Sequence, residues 1–239
     1  MDDETTIRVN FGKPIPLFPL DSVVLLPQQV MPLHIFEPRY RQMIDEALDG
    51  SGQIAMAVFA GEKWKQEYHA NPPIRHAVCI GQIVQHERLP KGRYNILLQG
   101  VCRAKVASEH KPDEMRMYRT AMLEPLGSNQ VVEPETGFAI DQMRTWIEGE
   151  LTEGDLRELS VADQMLEYVR NEDVPSTALI ELISFALVTE PATRYQLLSE
   201  PELARRVDLV RGALEDLESI IRQARAQHPE AWPKGLSWN

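Results

Sequence analysis

The spacing of apolar residues changes once along the chain. In the first half, short apolar runs or alternating apolar and polar positions are typical of β-strands. These segments are Ile54–Phe59, Val78–Gln85, Tyr94–Gln99, Cys102–Val106 and Thr120–Leu123. From residue 138 onward, apolar residues recur every three or four positions, which predicts helices. The pattern therefore predicts an α+β protein with strands before about residue 125 and helices after it.

Prolines divide the first part of the chain into short elements. Ile15–Leu20 contains two prolines and is expected to be an edge strand or an extended entry. Val23–Leu26 and Leu33–Phe36 are apolar runs between prolines and are predicted to be buried strands. A helix is expected from Pro38, because proline fits the first helical turn, and Gly50 should end it.

Two segments between the strands have distinct signals. Residues 89–93 contain Pro90 and Gly92 and predict a hairpin turn, with Gly92 free to adopt a positive φ. Residues 61–76 have little periodicity and are predicted to be a long surface loop. Trp64 and Tyr68 lie in this loop, and large aromatic side chains in a polar segment can anchor a binding partner. The alternative is that both rings fold onto the strands as a lid.

The second half of the sequence is predicted to be a helical lobe. Residues 125–134 resemble a linker, and the helical patterns begin after it. The last helix is long, and from Leu203 to Ala224 its apolar residues follow a heptad spacing that favours packing within the protein's own bundle. We therefore expect two domains, a β-rich lobe over residues 1–126 and a helical lobe with a C-terminal tail over residues 127–239.

Charge and composition narrow the function classes. The chain has 239 residues, and its net charge of −11 lies entirely in residues 126–239, since the first 125 residues hold equal numbers of acidic and basic side chains. An acidic half disfavours binding to nucleic acid, which needs lysine and arginine opposite the phosphates. The N-terminal sequence lacks a signal-peptide pattern and the chain has no apolar stretch long enough to span a membrane, so we expect a cytoplasmic protein.

Few residues point to catalysis or metal binding. No G-x-x-x-x-G-K-[ST] loop is present to hold nucleotide phosphates. His34 and Glu37 lie in an extended segment where positions three apart face opposite sides, so they are not expected to form an acid–base pair. His69 and His76 lack the further ligands that zinc needs. We expect no catalytic residue, no cofactor and no metal, and the chain is predicted not to be an enzyme.

The two cysteines are predicted to be structural. Cys79 and Cys102 fall in neighbouring predicted strands, without a C-x-x-C motif. Small buried apolar residues are the simplest interpretation, because a redox pair needs an exposed environment that lowers the thiol pKa.

Several motifs in the first half carry a family resemblance. Residues 16–48, PLFPLDSVVLLPQQVMPLHIFEPRYRQMIDEAL, resemble the opening of the Lon protease N-terminal (substrate-binding) domain. The strand at residues 54–59, the segment Gly81–Ile83 and the run GRYNILLQG at residues 92–100 follow in the family's order. The resemblance continues through the helical half to about residue 225. It implies a PUA-like pseudobarrel followed by a helical bundle, in a stand-alone protein without ATPase or peptidase domains.

The resemblance also implies a function. We expect a non-catalytic module that binds unfolded or exposed protein segments, with Trp64 and Tyr68 as candidate peptide-binding residues, and that acts as an adaptor for a separate protease. The alternatives are an RNA-binding PUA-like protein and a hydrolase whose active site has no recognisable motif. The sequence leaves the client, the oligomeric state and the biological process open.

Overall fold

The computed structural model describes residues 7–62, 64–68, 71–127 and 134–227. The chain divides into two compact units. The first comprises Met1–Val131 and Thr189–Glu202, and the second comprises Val132–Val188 and Leu203–Asn239.

Six strands form the first unit. They are β1 (Ile15–Leu20), β2 (Val30–Ile35), β3 (Gln53–Val58), β4 (Ala77–Leu89), β5 (Arg93–His110) and β6 (Thr120–Pro125). The strand order is β2-β5-β4-β3-β1-β6, and β6 also pairs with β5. The second pairing of β6 closes five of the strands into a barrel, with β2 as an extra strand on the first part of β5. The pseudobarrel that the family resemblance implied is confirmed.

Small and branched side chains fill the barrel. Leu17, Val78 and Ile80 are fully buried and pack against four alanines, of which Ala55 lies opposite Ile80 and Ala104 opposite Val78 in the register. Small interior residues allow strands to curve around a narrow core, since they leave room for the larger side chains opposite.

Several strand predictions differ from the structure. Ile15–Leu20, expected to be an edge strand or an extended entry, is β1 and pairs with β3 on one side and β6 on the other. Residues 93–110 form one continuous strand where the sequence indicated two, because Gly100 continues the pairing between them. Val23–Leu26 is not a strand. Residues 24–26 are buried without sheet pairing and pass so close to Gly100 that no side chain fits between them.

Four elements of the first unit connect or cover the strands. Helix α1 (Pro38–Leu48) begins after Glu37 and buries Tyr40, Met43, Ile44 and Ala47. The β4–β5 hairpin turns through a 3-10 segment, Pro90–Gly92, in which Gly92 has the expected positive φ of 68°. Helix α2 (Trp64–Glu67) is a single turn inside the segment that the sequence predicted to be a long loop.

Helix α6 (Pro191–Ser199) also belongs to the first unit, although it follows the helical half in sequence. The Tyr195 hydroxyl accepts a hydrogen bond from the Ala77 N–H at 3.0 Å. The buried Arg103 donates from Nε to the Leu197 carbonyl at 3.1 Å. These contacts join residues more than ninety positions apart, which the local pattern does not reveal. The domain boundary between residues 126 and 127 stays a prediction.

All the regular secondary structure in the described residues of the second unit, 134–188 and 203–227, is helical. Its helices are α3 (Pro134–Thr152), α4 (Ala162–Arg170), α5 (Ser176–Leu187) and α7 (Leu203–Ala226), with a 3-10 turn at Asp155–Glu158. The heptad positions Val207, Val210 and Leu214 of α7 are buried. Among the described residues, no helix combines the length and the apolar character needed to cross a membrane.

Glu218 is expected to destabilise the second unit at neutral pH. Its side chain is 10% exposed, its Oε1 has no hydrogen-bond partner among the described residues, and its Oε2 lies 3.6 Å from the Arg222 guanidinium. Burial and the nearby Glu150 carboxylate raise its pKa above the ordinary value of 4.5, and Arg222 only partly opposes them. Because the folded protein binds this proton more tightly than the unfolded chain, the Glu218 contribution to stability improves as the pH falls toward 4.5.

The substitution Glu218→Gln tests this expectation. It should increase the free energy of unfolding at pH 7 by about 0.5 kcal/mol, since it removes a poorly solvated charge. The gain should shrink at pH 5, where the native carboxyl is more protonated. Calorimetric melts of Glu218→Gln and of the exposed control Glu167→Gln measure the difference, and a lower melting temperature for Glu218→Gln at pH 7 would contradict it.

Candidate functional site

Parallel pairing of β1 and β3 places the segments that follow them at one end of the barrel. Leu20 lies opposite Val58 in the register, and the Phe59 N–H donates to the Leu20 carbonyl at 3.0 Å. Asp21 therefore leaves the barrel beside the segment that carries Phe59 and Glu62. The N-terminus of α6 lies at the same end.

Phe59, Trp64 and Tyr68 form an aromatic cluster at this end. The Trp64 ring stacks on the buried Phe59 ring, with centroids 5.2 Å apart and planes 6° apart. Tyr68 meets Phe59 and Trp64 edge to face, with centroids 6.0 and 6.1 Å away. Trp64 and Tyr68 are both half-buried, so each ring is supported from one side and open on another. The structure thus brings the two sequence-predicted site residues together on Phe59.

Tyr68 is held in place by the start of α1. Its hydroxyl donates to Glu37 Oε1 at 2.5 Å, and the Arg39 guanidinium lies between the rings of Tyr40 and Tyr68, 4.5 and 4.4 Å from their centroids. Arg39 also forms an ion pair with Glu37 at 3.1 Å. Burial and the hydrogen bond to Glu37 raise the pKa of Tyr68. Tyr68 therefore anchors α2 to the barrel unit, and Trp64 is the less constrained ring of the pair.

A cavity of about 310 Å³ adjoins the aromatic cluster, and Phe59 lines it. We call it the rim cavity. Its floor is apolar, with Val24, Val58 and Tyr195 all buried. Its rim carries the carboxylates of Asp21, Glu62 and Glu190 and the guanidinium of Arg75.

The charged groups of the rim differ in whether they have partners within the described part of the chain. The Glu190 carboxylate accepts from the Thr193 N–H and hydroxyl, at 2.5 and 2.8 Å. The Ala192 backbone hydrogen bond and then these two Thr193 bonds lower its pKa. Arg75 lies over the Tyr195 ring, 4.4 Å from its centroid. Asp21 and Glu62 are exposed and make no hydrogen bond or ion pair within the described part of the chain.

A second groove runs along the outer part of the sheet. It has a volume of about 440 Å³ and is lined by β2, β4 and β5, including Pro32, His34, Glu87 and Leu97. The exposed apolar residues Val30, Val84 and Phe36 lie on these strands or next to them. The apolar run Leu33–Phe36 predicts a buried strand. In the structure Ile35 is buried, but Phe36 is 61% exposed, so the prediction of burial is wrong for Phe36.

The outer edge of β2 is poorly suited to pairing with another strand. Gly100 donates to the Gln29 carbonyl, so alternate residues from 29 onward direct their backbone groups to β5. Pro32 then faces the open edge, where its lack of an N–H interrupts the row of donors. This groove therefore offers side-chain contacts rather than a template for strand addition.

The residues considered for acid–base catalysis or metal binding form no shared site within the described residues. His34 Nδ1 pairs with Asn95 Oδ1 at 2.7 Å, whereas Glu37 binds Arg39 and Tyr68, so His34 and Glu37 form no pair with each other. His69 lies outside the described residues. Within residues 7–62, 64–68, 71–127 and 134–227, no three acidic, histidine or cysteine side chains are arranged to hold a metal ion.

The cysteines are packed in the sheet as predicted. Cys79 is fully buried, and Cys102 is half-buried against the barrel core. Cys102 lies opposite Ile80 in the register, so Cys79 points to the other face of the sheet. Burial raises the pKa of Cys102 to about 11, which keeps this thiol protonated at neutral pH.

Comparison with known proteins identifies the family. The model of the "ATP-dependent protease La (LON) substrate-binding domain" matches residues 14–216. The chain belongs to the Lon substrate-binding domain family. Lon protease 1 of Myxococcus xanthus is 29% identical over 109 residues, which are 44% of this chain and 13% of that protein. The Lon protease of Rickettsia prowazekii is 20% identical over 90% of this chain and 27% of its own length. The chain thus spans about an eighth to a quarter of the length of these relatives.

Two solved structures share the fold. The N-terminal domain of Mycobacterium avium complex Lon protease matches with a TM-score of 0.65 at 20% identity, covering 85% of this chain and 99% of the other. The Lon N-terminal domain protein from Xanthomonas campestris matches with a TM-score of 0.55 at 20% identity, covering 84% and 98%.

The Lon-type motif at the start of α1 supports the aromatic cluster. In the sequence PLHIFEPRY, Pro38 opens the helix and Glu37 precedes it as the acceptor for Arg39 and Tyr68. The Tyr40 ring packs edge to face on Phe18, 4.6 Å between centroids. These motif residues fix the position of α2 on the barrel, so the Lon motif is a support for the candidate site.

Proposed function

We propose that this chain is a non-catalytic module that binds exposed polypeptide segments of other proteins at the aromatic cluster. The observation that carries the proposal is the Trp64 ring, stacked on Phe59, a residue that also lines the rim cavity, in a member of a family of substrate-binding domains. A rigid aromatic ring offers apolar contact area at a low entropic cost, because few torsions are frozen when a segment binds.

The surroundings of the cluster favour an unfolded segment over a folded surface. The rim cavity is large enough for one side chain and adjoins the aromatic platform, so successive residues of an extended chain can contact both. The names of the relatives connect such domains with proteases, and an adaptor that presents segments to a protease in a separate chain follows as part of the proposal. The proposal assigns this chain no catalytic step.

Binding to one polypeptide in two folding states tests the function. Fluorescence anisotropy should show saturable binding of labelled α-lactalbumin that has been reduced and carboxymethylated, and no binding of the native disulfide-bonded form. The two probes share a sequence and differ mainly in exposed apolar segments. Equal binding of both forms, or binding of neither while a structured RNA binds at low salt, would contradict the proposal.

A further inference from the structure

The rim cavity differs from an ordinary apolar pocket because its floor and its rim have opposite character. Val58 and Phe59 are about 5% exposed and contribute apolar surface at the base. Around them, three carboxylates and one guanidinium give the lining a net charge of −2. A group that fits this combination has an apolar stem and a cationic head.

The unpaired charges lie on the two segments that leave the parallel strands. Glu190 is engaged as the N-cap of α6, and the Arg75 guanidinium rests on the Tyr195 ring. Asp21 and Glu62 remain exposed, with no ion pair within the described residues. These two carboxylates are therefore available to a cation from outside the chain.

We propose that the rim cavity accepts a lysine or arginine side chain of the bound polypeptide, with the Asp21 and Glu62 carboxylates facing the cationic head and Val58 and Phe59 beneath the aliphatic stem. Lysine and arginine commonly bury their methylene stems along apolar surface while the charge stays at the solvent edge. This inference rests on the proposed function, since it names the chemistry of the segment that the aromatic cluster receives. The preferred segment has an aromatic or aliphatic residue for Trp64 and a basic residue close to it.

Other occupants fit the cavity less well. An acidic side chain would meet three carboxylates against the single guanidinium of Arg75. A purely apolar side chain would fill the floor but leave the rim unpaired. A metal ion lacks a set of ligands among the described residues.

Matched peptides test the preference. An unstructured peptide with one tryptophan and a lysine two residues later is compared with versions carrying norleucine or glutamate in place of the lysine. Norleucine keeps the four-carbon stem and removes the charge. At low salt the lysine peptide should bind about fivefold more tightly than the norleucine peptide, the scale of one or two exposed ion pairs, and the difference should shrink at high salt.

Two double variants locate the effect. Asp21→Asn with Glu62→Gln should equalise the lysine and norleucine peptides, because it weakens binding of the lysine peptide. Asp49→Asn with Glu114→Gln removes the same charges from exposed positions that do not line the cavity, and should keep the preference. Equal binding of lysine and norleucine peptides to the unsubstituted protein, or a preference that survives the first double variant, would overturn the inference alone. Failure of every peptide to bind would overturn the proposed function as well.

Discussion

Replacing Gly100 with alanine is expected to destabilise the barrel unit by about 3 kcal/mol, the upper part of the range for overpacking a core. A Cβ at this position would overlap the Leu26 carbonyl oxygen and lie 2.9 Å from the Leu26 carbonyl carbon and 3.2 Å from the Pro27 Cα. All three are backbone atoms, so no side-chain rotation can relieve the overlap.

The segment that meets Gly100 is also tied to it by hydrogen bonds. The Gln28 N–H donates to the Gly100 carbonyl at 2.9 Å, and the Gly100 N–H donates to the Gln29 carbonyl at 2.8 Å. Moving the segment away would break both bonds, in addition to exposing the buried Leu26.

Two glycines in the second unit provide controls for the Gly100 experiment. A Cβ at Gly149 or Gly212 would meet nothing within 4 Å. Both glycines occupy exposed positions in the interior of a helix, α3 and α7 respectively. Alanine at either position should stabilise the protein by about 0.5–1 kcal/mol, because glycine is a poor helix former. Calorimetric melts of the three variants measure these effects, and an unchanged melting temperature for Gly100→Ala would contradict the close approach.

Replacing Trp64 with alanine is expected to weaken binding of an unfolded polypeptide by about 2 kcal/mol, or roughly 30-fold, the scale of an interface hot spot. One face of the ring rests on Phe59, the Lys65 ammonium lies 5.7 Å from its centroid, and the ring is the less constrained of the two candidate site residues. Because Trp64 is only half-buried and lacks the hydrogen bond to Glu37 that Tyr68 makes, the melting temperature of the Trp64→Ala protein should fall little.

Substitutions at Tyr68 and Trp146 are the controls that distinguish an effect on binding from an effect on stability in the Trp64 experiment. Tyr68→Phe removes the hydroxyl that donates to Glu37 and should lower stability by about 1 kcal/mol while the ring still binds. Trp146→Ala removes a half-buried tryptophan of the second unit, packed with Arg211 at 5.0 Å, and should leave the affinity unchanged. A Trp64→Ala protein that melts early and binds with full affinity would show that the ring is a lid.

The architecture was largely visible in the sequence because it follows from local periodicity. The change in apolar spacing predicted strands before residue 125 and helices after residue 134, and the hairpin at Gly92 followed from its turn residues. The continuous β5 and the buried coil at residues 24–26 were missed for one shared reason. The close contact of Gly100 with Leu26 is a tertiary feature that leaves no periodic trace.

The candidate site was predicted only in part. Aromatic residues in a polar segment pointed to Trp64 and Tyr68, but not to their partners, which are Phe59 just after β3 and Glu37 just before α1. Tyr195, which lines the adjoining rim cavity, comes from α6, far away in the sequence. The sequence pattern gives Trp64 and Tyr68 the same role. The hydrogen bond to Glu37 and the stacked Arg39 distinguish the two rings, and neither contact can be read from spacing.

Hydrogen–deuterium exchange with a saturating unfolded polypeptide tests the central claim most directly, because it locates the binding surface without a substitution. The proposal predicts slower exchange in the segments that contain Phe59, Trp64 and Tyr68 and in the first turn of α6 at residues 191–194. It predicts no change at residues 30–36, 84–87 and 95–97, which line or flank the groove on the outer sheet. Protection confined to that groove would contradict the proposed site, and no protection at saturation anywhere in the chain would contradict the binding function.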